Sequence, residues 1–263
     1  VSFNFDIKLF MHYLSLAAMV RNEGPYLEEW IKWHYYAGVE HFYLYENDST
    51  DATMPIIARL SHDYPITCVQ VSGKAIVKSV YESCVKDHSK DSRWIAFLDA
   101  DEFLVANDNL QRFLVPYEKY SALTVHWYLF GSNGRTVYTT TPVIERYTMR
   151  ERTPHKACKT ICAPSRTFEC YTSHRFKHDT DPVDEHFVPI TTAVARLDKA
   201  TCDLIQINHY VTKSKEECLK RRAERRLSTG TPHASAEQYF KVHDRNEVED
   251  LKAFNVWRGI NGI

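Results

Sequence analysis

RWIAFLDADEFLV (93–105) sets three carboxylates, Asp99, Asp101 and Glu102, against an apolar run that reads as a buried strand. Trp94 to Leu98 are apolar without alternation, the pattern of a strand covered on both faces. The same pattern recurs upstream in LSLAAMV (14–20), while the aromatic and β-branched VEHFYLYEN (39–47) and ITCVQV (66–71) also read as strands. Helical segments separate these runs. In RNEGPYLEEWIKWHYYAG (21–38), Gly24 and Pro25 punctuate the start, Leu27, Trp30, Ile31 and His34 recur at helical spacing, and Gly38 suits a left-handed C-terminal cap. DSTDATMPIIARL (48–60) offers Ser49 or Thr50 as a helix cap, and KAIVKSVYESCVKDHSK (74–90) is amphipathic. Strand and helix in alternation predict an α/β chain with a mostly parallel central sheet flanked by helices, which binds ligands beyond the carboxyl ends of its strands. The three carboxylates stand at such an end.

After about residue 120 the rhythm changes. ALTVHWYLF (122–130) is a strand and GSNGRT a turn, whereas 138–200 mixes Thr, Pro, His and charged residues with short apolar pieces such as FVPITTAVARL. This region predicts antiparallel strands and long loops added to the sheet, or a small second lobe. KSKEECLKRRAERRL (213–227) is a helix, with Ser214 as cap and Glu217 completing a capping box. Its basic run, 220–226, reads as a solvated helix face.

The chain has 263 residues, 44% hydrophobic and 25% charged, with a formal net charge of -1. That length allows one large domain or two small ones, and the balance argues against a nucleic-acid binder held by bulk charge. No run of eighteen apolar residues exists, so no transmembrane helix is expected, and VSFNFDIKLFMHYLSLAAMV (1–20) reads as a lead-in and first strand, interrupted by Asp6, Lys8 and His12. Seven cysteines without C-x-x-C spacing favour a reducing compartment and disfavour a structural zinc site, even around Cys158, Cys162 and Cys170.

Carboxylates at i and i+2, just past a buried strand, can serve one divalent cation, and hard oxygen ligands suit Mg²⁺ or Mn²⁺ shared with substrate phosphates. Asp99 and Asp101 form this D-x-D pair. Glu46, Asn47, Asp48 and Asp51 follow the strand 41–46, on the same edge if the sheet is parallel. They could accept hydrogen bonds from a ribose or base, with Arg21 and Asn22 nearby, or simply form a helix-capping loop.

MVRNEGPYLEEWIKWHYYAGVEHFYLYENDSTD (19–51), WIAFLDADEFL (94–104), HWYLFGSNG (126–134), KTICAP (159–164) and INHYVTKSKEE (207–217) resemble, in order, the GT-A nucleotide-sugar glycosyltransferases, and more closely glycosyltransferase family 92 and related family-2-like enzymes. The resemblance implies a GT-A-like, Rossmann-related fold: one catalytic domain over 1–263, with a nucleotide-sugar half at about 12–120 and an acceptor half, antiparallel and loop-rich, at about 121–263. It also implies a UDP-sugar donor, a Mn²⁺ or Mg²⁺ ion and transfer to a glycan or other hydroxyl. On this resemblance Arg21, Asn22, Glu23, Asn47, Asp48 and Asp51 belong to the nucleotide pocket, Asp99 and Asp101 to the metal, and His209 of NHY is a candidate third ligand. Related proteins imply a Golgi-lumen location for a trimmed catalytic domain; without an anchor in the chain, a cytoplasmic one is expected.

Lys156 and Lys159, in the basic stretch 151–160, and Lys213 are candidates for phosphate contacts. The related family inverts the sugar centre, which requires a carboxylate to take the acceptor's proton. Glu145 is preferred for this role and Asp184, in HDTDPVDEH, is the alternative. Trp127 and Tyr128 are expected in the core, with stacking on a sugar as the other possibility. A metal-dependent sugar-nucleotide hydrolase, a nucleotidyl or phosphoryl transferase and a non-catalytic carbohydrate-binding module stay open as alternatives.

Overall fold

The computed structural model describes residues 12–190, 200–229 and 235–262. The first part runs β1 (His12–Val20), α1 (Gly24–Ala37), β2 (His41–Asn47), α2 (Thr53–Leu60), β3 (Ile66–Val71), α3 (Val77–Asp87), β4 (Ser92–Phe97), β5 (Glu102–Ala106) and α4 (Leu110–Leu114). There follow β6 (Ala122–Leu129), α5 (Val143–Arg146), β7 (Met149–Arg150), β8 (His155–Cys162), β9 (Thr167–Thr172), β10 (Arg175–His178), β11 (Ile205–His209), α6 (Lys215–Thr229), α7 (Ala236–His243), β12 (Val248–Glu249) and α8 (Lys252–Asn261).

Eight strands form one sheet in the order β3-β2-β1-β4-β8-β6-β11-β5. β3, β2, β1 and β4 are mutually parallel, and β11 is parallel to β6. β8 enters antiparallel between β4 and β6, and β5 pairs antiparallel with β11. The mostly parallel sheet is therefore the architecture the alternation predicted, and with its antiparallel addition it has the GT-A-like form the resemblance implied. Segments from both halves of the chain share this sheet.

The central strands β1 and β4 are buried on both faces, which explains their apolar runs, whereas the edge strand β3 is partly exposed along its length. Leu14, Leu16 and Ala18 point into one core with α1 and α2, while Ala17, Tyr43, Ile95 and Phe97 point into another beneath α3 and β10. Burying one such aliphatic side chain contributes roughly 1.5–3 kcal/mol. Gly38 ends α1 with φ 116°, the left-handed cap expected of it. α2 differs from expectation: neither Ser49 nor Thr50 caps it. Ala52 holds that position, and the carboxylate of Asp51 accepts from the Thr53 amide (2.9 Å), because an ionised acceptor satisfies a first-turn amide better than a hydroxyl.

β5 is an edge strand whose outward backbone groups would lack partners. The WIKWH face of α1 supplies them. Trp30 and Trp33 donate their indole N–H groups to the carbonyls of Glu102 (2.8 Å) and Leu104 (2.9 Å), and His34 accepts from the Leu104 amide. This clamp fixes the strand that begins at Glu102.

Candidate active site

The D-x-D residues occupy the turn between β4 and β5, at the carboxyl edge of the parallel strands. Register brings the remaining groups to it. His209, the last residue of β11, stands opposite Glu102, the first of β5, and the Tyr210 amide donates to the Asp101 carbonyl at 2.9 Å. β8 runs antiparallel past the end of β4, with Ile161 opposite Ala96, and carries Lys159 to the turn. Lys159 Nζ lies 2.8 Å from Asp99 Oδ2 and 3.1 Å from Glu102 Oε2, with its side chain 1% exposed.

His209 Nε2 lies 3.6 Å from Asp101 Oδ1, and its Nδ1 lies 3.9 Å from Glu102 Oε1. Both of these last atoms are buried and have no hydrogen-bond partner. Trp127 packs edge-on against the same imidazole, 5.2 Å between ring centroids. Arg221 of α6 reaches in from the helical side: Nη1 is 2.9 Å from Asp101 Oδ2 and Nη2 is 3.0 Å from Glu23 Oε1. Lys213, also buried, lies over the Tyr26 ring at 4.3 Å.

The electrostatics follow from this crowding. Burial would raise Asp101, but Arg221, then His209 and Lys213, hold its carboxyl well below the usual range. Burial, reinforced by Asp99 and Asp101 and only partly opposed by Lys159, pushes Glu102 up to about 8. Burial takes His209 down to about 4, so the imidazole is neutral and able to ligate. Burial also opposes the charge on Lys159, yet Asp99 and Glu102 keep it protonated above its ordinary value.

The donor set is carboxylate oxygen plus neutral imidazole, and two of its buried atoms face each other without partners. Mn²⁺, or Mg²⁺ with water completing its shell, suits such a set. His209 turns Nε2 to Asp101 and Nδ1 to Glu102, on opposite edges of its ring, so the residues that would hold one ion are Asp101 and His209 through Nε2. Asp99, the other carboxylate of the D-x-D pair, shares Lys159 with Glu102. Among the described residues, the trio of His, Cys, Asp or Glu groups whose ligand atoms all fall within 4.8 Å of one another is Glu185, His186 and Asp203. It lies by the start of β11, with Glu185 accepting from the Asp203, Leu204 and Ile205 amides, whereas His209 ends that strand.

The other expected site residues are placed as follows in the fold. Glu46, Asn22, Asp48 and Asp51 tie loops together: Ser49 N–H donates to Glu46 Oε1 (2.6 Å), Thr50 N–H to Asn22 Oδ1 (2.8 Å), Ser72 Oγ–H to Asp48 Oδ1 (2.7 Å) and Gly24 N–H to Asp51 Oδ2 (3.1 Å). Asn47 donates to the carbonyls of Val71 and Gly73. Arg21 and Lys156 are exposed. Lys159 pairs with the carboxylates of Asp99 and Glu102. Glu145 lies in α5, which Glu29 of α1 caps at the Val143 and Ile144 amides, and its Oε1 accepts from the Trp257 indole (2.9 Å). Asp184 is not brought to the D-x-D turn: its Oδ1 accepts from the His186 and Val188 amides, beside Glu185 at the far end of β11. Tyr128 lies under Arg150, 3.6 Å from guanidinium to ring, rather than at the site.

The description Glycosyltransferase family 92 matches residues 15–231, which include every residue of this cluster. The chain belongs to glycosyltransferase family 92. A family 92 protein of Oryza sativa subsp. japonica is 28% identical over 159 residues, covering 58% of this chain and 27% of the relative. One of Arabidopsis thaliana is 26% identical over 174 residues, covering 58% of this chain and 29% of the relative. The chain thus spans less than a third of the length of these curated relatives. Among solved structures, S. aureus TarS 1-349 in complex with UDP aligns with 58% of this chain and 47% of its own at 15% identity and a TM-score of 0.41.

In this family 92 chain the solvated reading of the basic run 220–226 is overturned at Arg221. The capping box forms as expected, with Ser214 N–H donating to Glu217 Oε2 (3.0 Å) and Glu217 N–H to Ser214 Oγ (3.2 Å). Glu217 also pairs with Arg146 (3.1 Å) and accepts from the hydroxyls of Tyr26 (2.9 Å) and Tyr147 (2.8 Å). Anchoring α6 there turns the i+4 position, Arg221, toward the acids. Only the Ser-x-x-Glu spacing signalled this; nothing in a run of arginines says which one faces inward. No helix among the described residues is long and apolar enough to cross a membrane.

Proposed function

We propose that the chain is the catalytic unit of a metal-dependent glycosyltransferase that moves a sugar from a nucleotide donor, a UDP-sugar, to a glycan or other hydroxyl with inversion. Membership of family 92 supports the reaction class. The observation that carries the site assignment is the neutral His209 imidazole, with Nε2 3.6 Å from Asp101 Oδ1, at the carboxyl edge of the sheet.

Asp101 and His209, with Asp99 of the same turn, hold a Mn²⁺ or Mg²⁺ ion in this reading. When bound, the ion supplies positive charge to a diphosphate leaving group, an effect of several kcal/mol. Lys159 keeps Asp99 and Glu102 from repelling each other and so holds the turn in shape. The loop residues Asn22, Glu46, Asn47, Asp48 and Asp51, already cross-linked to one another, present a fixed surface to the nucleoside, with exposed Arg21 at its rim. Trp127, edge-on against His209, closes the floor. Glu145 is the base we retain over Asp184, because Asp184 is spent on two amides at the other end of β11.

Isothermal titration of UDP with and without Mn²⁺, followed by product analysis with candidate glycan acceptors, tests this reading. Mn²⁺-dependent UDP binding and a glycosylated product are expected. Free sugar as the sole product would replace the transferase with a hydrolase, and absence of any nucleotide affinity would leave a carbohydrate-binding module.

A further inference from the structure

The guanidinium of Arg221 is the contact that α6 makes with the D-x-D turn, and its position is unusual. Its side chain is 41% exposed, yet it bridges two acids that are themselves buried, Asp101 at 4% and Glu23 at 7% exposure. A cation on Asp101 Oδ1, the oxygen facing His209, would lie within one carboxylate's width of this guanidinium on Oδ2, and like charges at that separation repel strongly in a buried setting. A partly exposed arginine has somewhere to go. Glu23 does not depend on it alone, since Lys213 lies among the charges of Asp101, Glu23 and Glu217. A planar guanidinium fork matches a phosphate as well as a carboxylate.

We propose that Arg221 is a donor-binding residue that changes partners: it holds Asp101 and Glu23 in the free enzyme, and turns to the diphosphate once a divalent cation and a nucleotide enter. This inference rests on the donor-site reading above. It gives the free and loaded enzyme opposite signs of coupling. Without nucleotide Arg221 and the cation compete for Asp101, whereas with nucleotide both neutralise the same diphosphate.

The test is calorimetric titration of the wild type, R221Q and R221K with Mn²⁺ alone and with UDP in saturating Mn²⁺. R221Q is expected to bind Mn²⁺ alone more tightly than wild type and UDP about tenfold more weakly, as loss of one charged hydrogen bond implies. R221K, which keeps the charge, recovers part of the UDP affinity. A merely structural role predicts that both affinities fall together. That result, or unchanged UDP affinity in R221Q, overturns the proposal. If the wild type itself shows no Mn²⁺-dependent UDP binding, the donor-site reading fails and takes this inference with it; wild-type binding with an indifferent R221Q sinks the inference alone.

Discussion

His34 Nε2 accepts the amide proton of Leu104 at 3.1 Å, while its Nδ1 donates to the Trp30 carbonyl at 2.8 Å. The ring is therefore a neutral, fully buried connector between α1 and the strand that carries Glu102. Burial takes it from the ordinary 6.5 down to about 3.

As pH falls, the unfolded chain takes up a proton on this histidine before the folded chain does. Stability is thus complete above pH 6.5 and lost progressively toward pH 3, by about 3 kcal/mol at pH 4 from this group. Urea unfolding of wild type and H34Q between pH 7 and 4 should show a flatter pH dependence in the variant. Equal slopes would mean that His34 is not held neutral.

Arg146 and Glu217 form an ion pair with side chains only 2% and 6% exposed. E217A leaves the guanidinium buried without its counter-charge and is expected to cost about 3–5 kcal/mol. A fall of well under 1 kcal/mol in denaturant unfolding would place the pair in water. Because Glu217 also anchors α6, any folded E217A should lose UDP affinity through Arg221.

D101N removes the charge that meets both His209 and Arg221. Mn²⁺-dependent UDP binding should weaken by at least about tenfold, or 1.4 kcal/mol. The Asp101 backbone carbonyl keeps its bond to Tyr210, so the fold should persist, as circular dichroism would report. Undiminished Mn²⁺-dependent affinity would remove Asp101 from the cation site.

E145Q tests the proposed base. The amide still offers Oε1 to the Trp257 indole, so UDP affinity should hold while transfer falls by about 10²–10⁴-fold. Near-normal turnover in an acceptor assay returns Glu145 to a purely structural part between α5 and α8.

What the amino-acid order determined by itself was local. Unbroken apolar runs between amphipathic ones required a sheet covered on both faces, Gly38 required a left-handed stop, Ser214 and Glu217 required a helix start, and carboxylates after 93–98 were placed at a strand end. Each is a property of one segment and its solvent. The site is a property of register. His209 meets Glu102 because β11 and β5 pair antiparallel with those residues opposed, Lys159 meets Asp99 because β8 overshoots β4, and Arg221 meets Asp101 because Glu217 docks α6 one turn earlier. These partners lie 60 to 120 residues apart, and their side chains carry no mark of which face will turn inward. Only the folded sheet, by trading the solvation of each charge for an opposite charge at hydrogen-bond distance, decided it.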